Sequence, residues 1–198
     1  MSSLAEEKSS SSVVLVDASV VRDIAAALNG IWRPADEEDA ARARRLVAVA
    51  RLRLYASRDR NGWLLVTTDA AREAAMRRGD ADWSVGYLPT IESFSDAPPP
   101  AEVASLARLF REEEGIEAES AFALAHAILN DNIEIVVTDD PGRYKHLRRH
   151  DLPPRLELLD PFAVEERLEI LPGEKPGVTV PEGVLSLLGD DPWWIPNE

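Results

Sequence analysis

The chain has 198 residues and a formal net charge of −14, with 36 acidic side chains against 22 lysines and arginines, and it contains no cysteine. This length predicts one domain with extensions and a core large enough to fold without a covalent or metal staple. Without cysteine, disulfides and thiolate metal sites are excluded. The sequence shows neither a signal peptide nor a membrane-spanning apolar run, so we expect a soluble cytoplasmic protein.

The acidic excess is unevenly distributed. Residues 161–198 carry eight acidic and two basic side chains, and we interpret them as an acidic extension whose Trp193 and Trp194 either pack back on the domain or form an exposed interaction patch. The polar, serine-rich residues 1–12 are expected to be disordered, which leaves 13–160 as the folded domain. Within that domain, residues 143–150 have the basic density of a phosphate-contacting patch, although a solvated surface is the alternative.

The apolar run Val13–Val16 is the first predicted element. Four apolar residues without alternation indicate a strand that is covered on both faces, as in a parallel sheet. Ser19 can cap a helix from Val20 to about Leu28. Ligands of parallel α/β sheets bind at the carboxyl ends of strands, where Asp17 falls. Alternatively, Asp17 is only the cap of the next helix.

The rest of the chain continues the alternation of helix and strand. Residues 36–57 predict a second helix. Further along, residues 82–100 predict a loop with one possible short strand. Thr67, Thr68 or Asp69 can cap the helix that carries Glu73. The remaining predicted elements are strand 63–68, a helix from Pro100 through Phe110, a helix of about 119–129, strand 133–140 and strand 155–159. This order predicts an α/β fold with a parallel sheet and right-handed crossovers.

Several acids fall at strand ends or at helix starts beside them, which allows them to converge. They are Asp17, Glu73, Glu119 and either Asp139 or Asp140. Glu117 lies about 200° from Glu119 on a helix, so only one of this pair can point at a common site. Carboxylates packed together repel, and a divalent cation is the simplest compensation. All-oxygen ligands favour Mg²⁺ or Mn²⁺. The alternative is a set of unrelated helix caps and solvated acids.

Four stretches in this order resemble the PIN domain, a family that includes the VapC-type toxins of toxin-antitoxin pairs. They are Val-Leu-Val-Asp-Ala-Ser-Val, the step from Thr67 to Glu73 and Arg-Arg-Gly, Glu119-Ser-Ala-Phe-Ala-Leu-Ala, and Val-Val-Thr-Asp-Asp. The resemblance covers roughly 13–159. It implies a three-layer α/β/α sandwich with a central parallel sheet and a metal-dependent ribonuclease that cleaves single-stranded RNA.

The resemblance also implies roles for individual residues. The four metal-binding, catalytic acids would be Asp17, Glu73, Glu119 and Asp140, with Glu117 and Asp139 as alternates and Ser19 orienting Asp17. The cofactor would be Mg²⁺ or Mn²⁺, and the partners would be RNA, a small antitoxin protein and a second copy of the chain in a homodimer. The basic residues expected to contact RNA are Arg143, Lys145, Arg148 and Arg149.

Two other functions fit parts of the pattern. A HAD-like phosphatase also has strands that end in Asp17, in Thr67 and Thr68, and in Asp139 and Asp140. Such an enzyme needs a general acid two residues after its nucleophile, however, and Ser19 has no comparable proton to give. The second alternative is a PIN-like docking module with weak or no catalysis, which retained metal affinity would distinguish from an enzyme.

Overall fold

A computed structural model of the chain describes residues 12–21, 63–77, 88–144, 147 and 152–168. Several predictions lie outside these residues: the segment 1–11, the helices between 22 and 57, and the extension beyond 168 with its two tryptophans. The same holds for Lys145, Arg148 and Arg149.

Four strands form one parallel sheet in the order β2-β1-β3-β4. Their bounds are Ser12–Val16 (β1), Trp63–Val66 (β2), Ile133–Val137 (β3) and Glu157–Leu159 (β4). β1 lies between β2 and β3, so both of its edges are hydrogen-bonded. Val14, Leu15 and Val16 are at most 1% exposed, and since successive side chains point to opposite faces, both faces of the strand are covered. The parallel α/β class and the interior position of β1 are therefore confirmed.

The strands end together at one edge of the sheet. In the ladder, Leu15 pairs with Val66 and Val16 with Val137, while Val137 also pairs with Leu159. The next residue along each strand therefore reaches the same carboxyl edge. These residues are Asp17, Thr67, Thr138 and Asp160.

The β2 strand is shorter than predicted because Thr67 changes partner. Its hydroxyl donates to the Val16 carbonyl at 3.0 Å, while its backbone forms an isolated parallel bridge with Thr90. The possible short strand in 82–100 is thus reduced to this bridge among the described residues. A short 3-10 helix, Ile91–Ser93 (η1), follows it and brings Glu92 close to the start of the next helix after β2.

Helices alternate with the strands in the described part of the chain. They are Asp69–Arg77 (α1), Pro100–Glu113 (α2), Ala118–Leu129 (α3) and Pro161–Arg167 (α4). Thr68 caps α1 by accepting from the Ala71 N–H at 3.1 Å. Pro100 suits the first turn of α2, where its missing N–H has no partner to lose. A second 3-10 helix, Pro141–Tyr144 (η2), follows β3.

The α3 helix is the centre of the core on one side of the sheet. It packs against β1 and β3 and also against α1 and α2. Four of its alanines are nearly fully buried, and such small side chains let neighbouring backbones come close. No helix among the described ranges is long and apolar enough to cross a membrane.

Arg155 closes the carboxyl end of α3. Its Nη2 lies 3.2 Å from the Ala127 and Ile128 carbonyls and 2.9 Å from that of Asn130. The last carbonyls of a helix have no intrahelical donor, so the guanidinium supplies one. This explains why β4 begins at Glu157 and not at Arg155 as predicted.

Candidate active site

Asp17 occupies the carboxyl end of the interior strand and is fully buried, with 0% exposure. Its Oδ1 accepts from the Ala18 N–H at 2.7 Å. Its Oδ2 accepts from three hydroxyls: Ser19 at 3.1 Å, Thr138 at 3.1 Å and Tyr144 at 3.2 Å. No basic side chain of the described residues forms an ion pair with it, and within these residues its hydrogen-bond donors are four neutral groups.

A comparison with Asp160 shows that the Asp17 side chain is not an ordinary helix cap. Asp160 accepts from the N–H groups of Phe162 and Ala163, the second and third residues of α4, which is the usual capping pattern. The helical turn after β1 begins at Ala18, so Asp17 and not Ser19 stands at the cap position, and the predicted Ser19 cap is wrong. The Asp17 carboxylate nevertheless accepts from the Ala18 N–H and the Ser19 hydroxyl, and from the hydroxyls of Thr138 and Tyr144 in other elements.

Tyr144 is the donor that reaches Asp17 from η2. Burial raises the pKa of the Tyr144 phenol, and the negative charge of Asp17 raises it further, while the hydroxyls of Ser120 and Thr138 act in the opposite direction. The phenol therefore stays protonated at neutral pH and keeps a proton to donate.

A second polar chain runs from Asp17 to two of the predicted alternates. The Asp139 N–H donates to the Ser19 Oγ at 3.2 Å. The Arg143 guanidinium lies 3.5 Å from Asp139 Oδ1 and 4.0 Å from Glu117 Oε2. Glu117 stands at the cap position of α3, yet its side chain makes no capping hydrogen bond there. Ser19 and Arg143 thus link Asp17, Asp139 and Glu117 at one edge of the sheet.

The other predicted ligands differ in exposure. Glu119 is partly buried in the first turn of α3, whereas Glu73 on α1 and Asp140 at the start of η2 are exposed. No three acidic or histidine side chains in the described ranges are grouped closely enough to hold a metal ion. The choices between Glu117 and Glu119 and between Asp139 and Asp140 remain predictions, as does RNA contact by Arg143.

The acids of this site have the donor atoms that a hard divalent cation prefers, but the described residues do not bring three of them together. Asp17, Glu117 and Asp139 offer only oxygen atoms, which suit Mg²⁺ or Mn²⁺. Asp139 Oδ1 and Arg143 Nη1 are buried without a hydrogen-bond partner, so the polar capacity of the site is incompletely used. The Arg143 guanidinium lies 3.5 Å from Asp139 and 4.0 Å from Glu117, so it offsets part of their negative charge.

A pair between buried His126 and partly exposed Glu92, near the start of α1, was missed from the sequence because residues 82–100 showed no pattern. Glu92 Oε1 lies 3.1 Å from His126 Nε2, and Glu92 Oε2 accepts from the Asp69 N–H at 3.1 Å. Burial raises the pKa of Glu92, but the hydrogen bonds from His126 and the Asp69 backbone outweigh it, so the net pKa is lowered. The pair ties η1 to α3 and α1.

Thr138 and Tyr144 were also missed as residues that touch Asp17. The signal for Thr138 was its position directly after a buried strand, beside the predicted ligands. Tyr144 lies inside the basic run 143–150, which was interpreted only through its positive charge.

No family model, curated protein or solved structure matches this chain. The fold and site therefore define the class of protein only as a parallel α/β protein with a buried carboxylate at the carboxyl edge of its sheet.

Proposed function

We propose that the chain is a Mg²⁺- or Mn²⁺-dependent endoribonuclease of the PIN class that hydrolyses phosphodiester bonds of single-stranded RNA. One observation carries the proposal. Asp17 is buried at the end of an interior parallel strand, and Ser19 and Arg143 connect it to acids from two other segments. The proposal includes a three-layer PIN-like arrangement, a cytoplasmic location, a homodimer and a toxin role with a small antitoxin partner.

The residues that would hold the metal are Asp17, Glu73, Glu119 and Asp140, with Glu117 and Asp139 as alternates. A bound divalent ion would supply an activated water and neutralise charge that develops on the phosphate. The chain itself holds Asp17 in one orientation, because four donors converge on its two oxygens. Such preorganisation removes the need to orient the carboxylate when substrate arrives.

The geometry argues against the phosphatase alternative. Ser19, at the position of the general acid, already donates to Asp17 and accepts from Asp139. The docking-module alternative is favoured by one finding, the lack of a close group of three acids in the described ranges.

The test compares Asp17→Asn with Asp160→Asn, since both remove one aspartate from the same sheet edge. Asn caps a helix as well as Asp, so Asp160→Asn should leave activity unchanged. Asp17→Asn should abolish Mn²⁺-dependent cleavage of a fluorescent single-stranded RNA pool. Because all three proteins are purified identically, a contaminating nuclease would appear equally in each.

Melting with and without Mn²⁺ supplies an independent readout. A ligand at 100 times its Kd stabilises the folded state by about 2.7 kcal/mol, and this gain should appear in wild type and be lost in Asp17→Asn. If wild type neither cleaves RNA nor responds to millimolar Mn²⁺, the docking-module function replaces the nuclease.

A further inference from the structure

The Asp17 carboxylate is fully buried although it lies at the edge of the sheet where ligands of parallel sheets bind. Water or a ligand can reach it only if one of the groups around it moves. Two of its four donors, the Ala18 N–H and the Ser19 hydroxyl, come from the turn that follows Asp17 itself. Access therefore depends on whether Thr138 or Tyr144 can move.

Thr138 is held by the sheet. Its backbone N–H donates to the Leu159 carbonyl at 3.0 Å, which extends the pairing of β3 and β4 by one residue. The residue is also fully buried. Moving Thr138 away from Asp17 would therefore require the end of β3 to move.

Tyr144 is attached through the connection after β3, residues 139–144. Two hydrogen bonds join this segment to the residues that follow β1. They are the bond from the Tyr144 hydroxyl to Asp17 Oδ2 and the bond from the Asp139 N–H to Ser19 Oγ, each 3.2 Å long. The segment can open by breaking these two bonds while the strands of the sheet stay paired.

We propose that residues 139–144 form a lid over Asp17, that the Tyr144 phenol latches the lid shut, and that lid opening gives water and ligands access to the carboxylate. The functional meaning of the lid rests on the proposed function, because the lid would regulate access to that site, whereas its opening is a property of the fold. The Tyr144 ring packs in the core and is 4% exposed, so the closed form is strongly favoured. Asp139 and Arg143 belong to the lid, so each opening also separates them from Asp17.

The test is native-state amide hydrogen exchange of the full chain in EDTA, measured by NMR. The lid probes are the N–H groups of Asp139 and Arg143, which are hydrogen-bonded when the lid is closed. The sheet probes are the N–H groups of Asp17 and Thr138, which are bonded across the sheet. In wild type the lid probes should exchange faster than the sheet probes. Their exchange should also change little with added urea, because a local opening exposes little surface.

Two variants assign the latch to the phenol. Tyr144→Phe keeps the ring and removes only the hydroxyl, so exchange of the lid probes should accelerate about tenfold. Thr138→Val is the matched control, since it removes a hydroxyl bond of similar length to the same Asp17 oxygen. That bond lies outside the lid, so lid exchange should stay within about twofold of wild type.

Asp17→Asn provides a second variant if the phenylalanine variant does not fold. It keeps the shape of the acceptor but removes its charge, so lid exchange should accelerate roughly fivefold. Lid probes that exchange only together with the sheet probes, at the same rate and with the same urea dependence, would overturn the proposal. Unchanged lid exchange in Tyr144→Phe and Asp17→Asn would overturn it as well. Either result leaves the nuclease proposal intact, because Mn²⁺-dependent RNA cleavage tests that proposal separately.

Discussion

Substitution of Tyr144 by Phe tests whether Asp17 is a buried charged group held by hydrogen bonds. The change removes only the phenolic oxygen from a side chain that is 4% exposed, so the ring continues to fill its space. A hydrogen bond to a charged group is worth about 1.5–3 kcal/mol. The oxygen–oxygen distance of 3.2 Å exceeds the usual 2.5–2.7 Å of such bonds, and Ser19 and Thr138 still donate to the same oxygen. We therefore expect a loss near the lower limit, about 1.5 kcal/mol.

A double-mutant cycle assigns this loss to Asp17. In the Asp17→Asn background Tyr144 has only a neutral partner, so its removal should cost about 0.5 kcal/mol, which leaves a coupling energy of about 1 kcal/mol. Urea denaturation in EDTA measures all four proteins. Ser105→Ala is the control, since that hydroxyl bonds only the Ala101 carbonyl on an exposed helix face, and it should change stability by less than about 0.5 kcal/mol. Coupling within about 0.3 kcal/mol of zero would refute the reasoning.

Wild type and Tyr144→Phe should differ in how their stability responds to alkaline pH. The raised pKa of Tyr144 means that the unfolded chain loses the phenolic proton first, above a pH of about 10. The stability that the protected Tyr144 phenol contributes is fully present below that pH and is lost as the pH rises towards its folded-state pKa. The stability difference between wild type and Tyr144→Phe should thus narrow by up to about 1.4 kcal/mol per pH unit above pH 10. A constant difference would show that the phenol is not protected.

Two further predictions concern contacts outside the site. Arg155→Lys should lower the free energy of unfolding by about 1 kcal/mol in urea, because an ammonium cannot reach three carbonyls of α3 at once, whereas Arg167→Lys at an exposed pair should have little effect. Glu92→Gln should cost about 1 kcal/mol at neutral pH. Because the folded pKa of Glu92 is lowered, its contribution is present above a pH of about 4.3 and lost as the pH falls through the folded value. The difference from wild type should therefore narrow as the pH falls below about 4.3, and a difference that stays constant throughout acid titration would contradict the assignment.

The sheet was predictable because its strands are apolar runs whose meaning does not depend on distant residues. Val13–Val16 and Ile133–Val137 read as buried strands from composition alone, and both lie in the interior of the sheet. The predicted ends of helices and strands were wrong where the contacts of a single side chain determine where the element begins. Ser19 was predicted to cap a helix, but its hydroxyl donates to Asp17 and accepts from the Asp139 N–H at the sheet edge. Arg155 was predicted to start β4, but its guanidinium donates to a carbonyl at the end of α3.

The site was predictable only as a set of candidate acids. The sequence placed Asp17 and either Asp139 or Asp140 at strand ends, but it favoured Glu119 and kept Glu117 only as an alternate. The donors to Asp17 do not follow, because Thr138 and Tyr144 are 121 and 127 residues away along the chain. The contacts of Arg143 with Asp139 and Glu117 do not follow either, because its basic neighbours indicated only an RNA surface. Such contacts depend on the loop after β3, whose path no local pattern specifies. The contact of Arg143 with RNA stays a prediction.

The difference between Asp17 and Asp160 carries the argument about function furthest. Both follow a strand and precede a helix, but the Asp160 side chain only caps its helix, by accepting from two backbone N–H groups at the start of α4. Asp17 uses one N–H and three hydroxyls drawn from three segments, and it is fully buried. Taking a carboxylate out of water costs several kcal/mol, and a helix cap does not require that cost. The extra donors hold a negative charge in place at the edge where ligands of parallel sheets bind, which is the arrangement that a cation-dependent site needs and a capping residue does not.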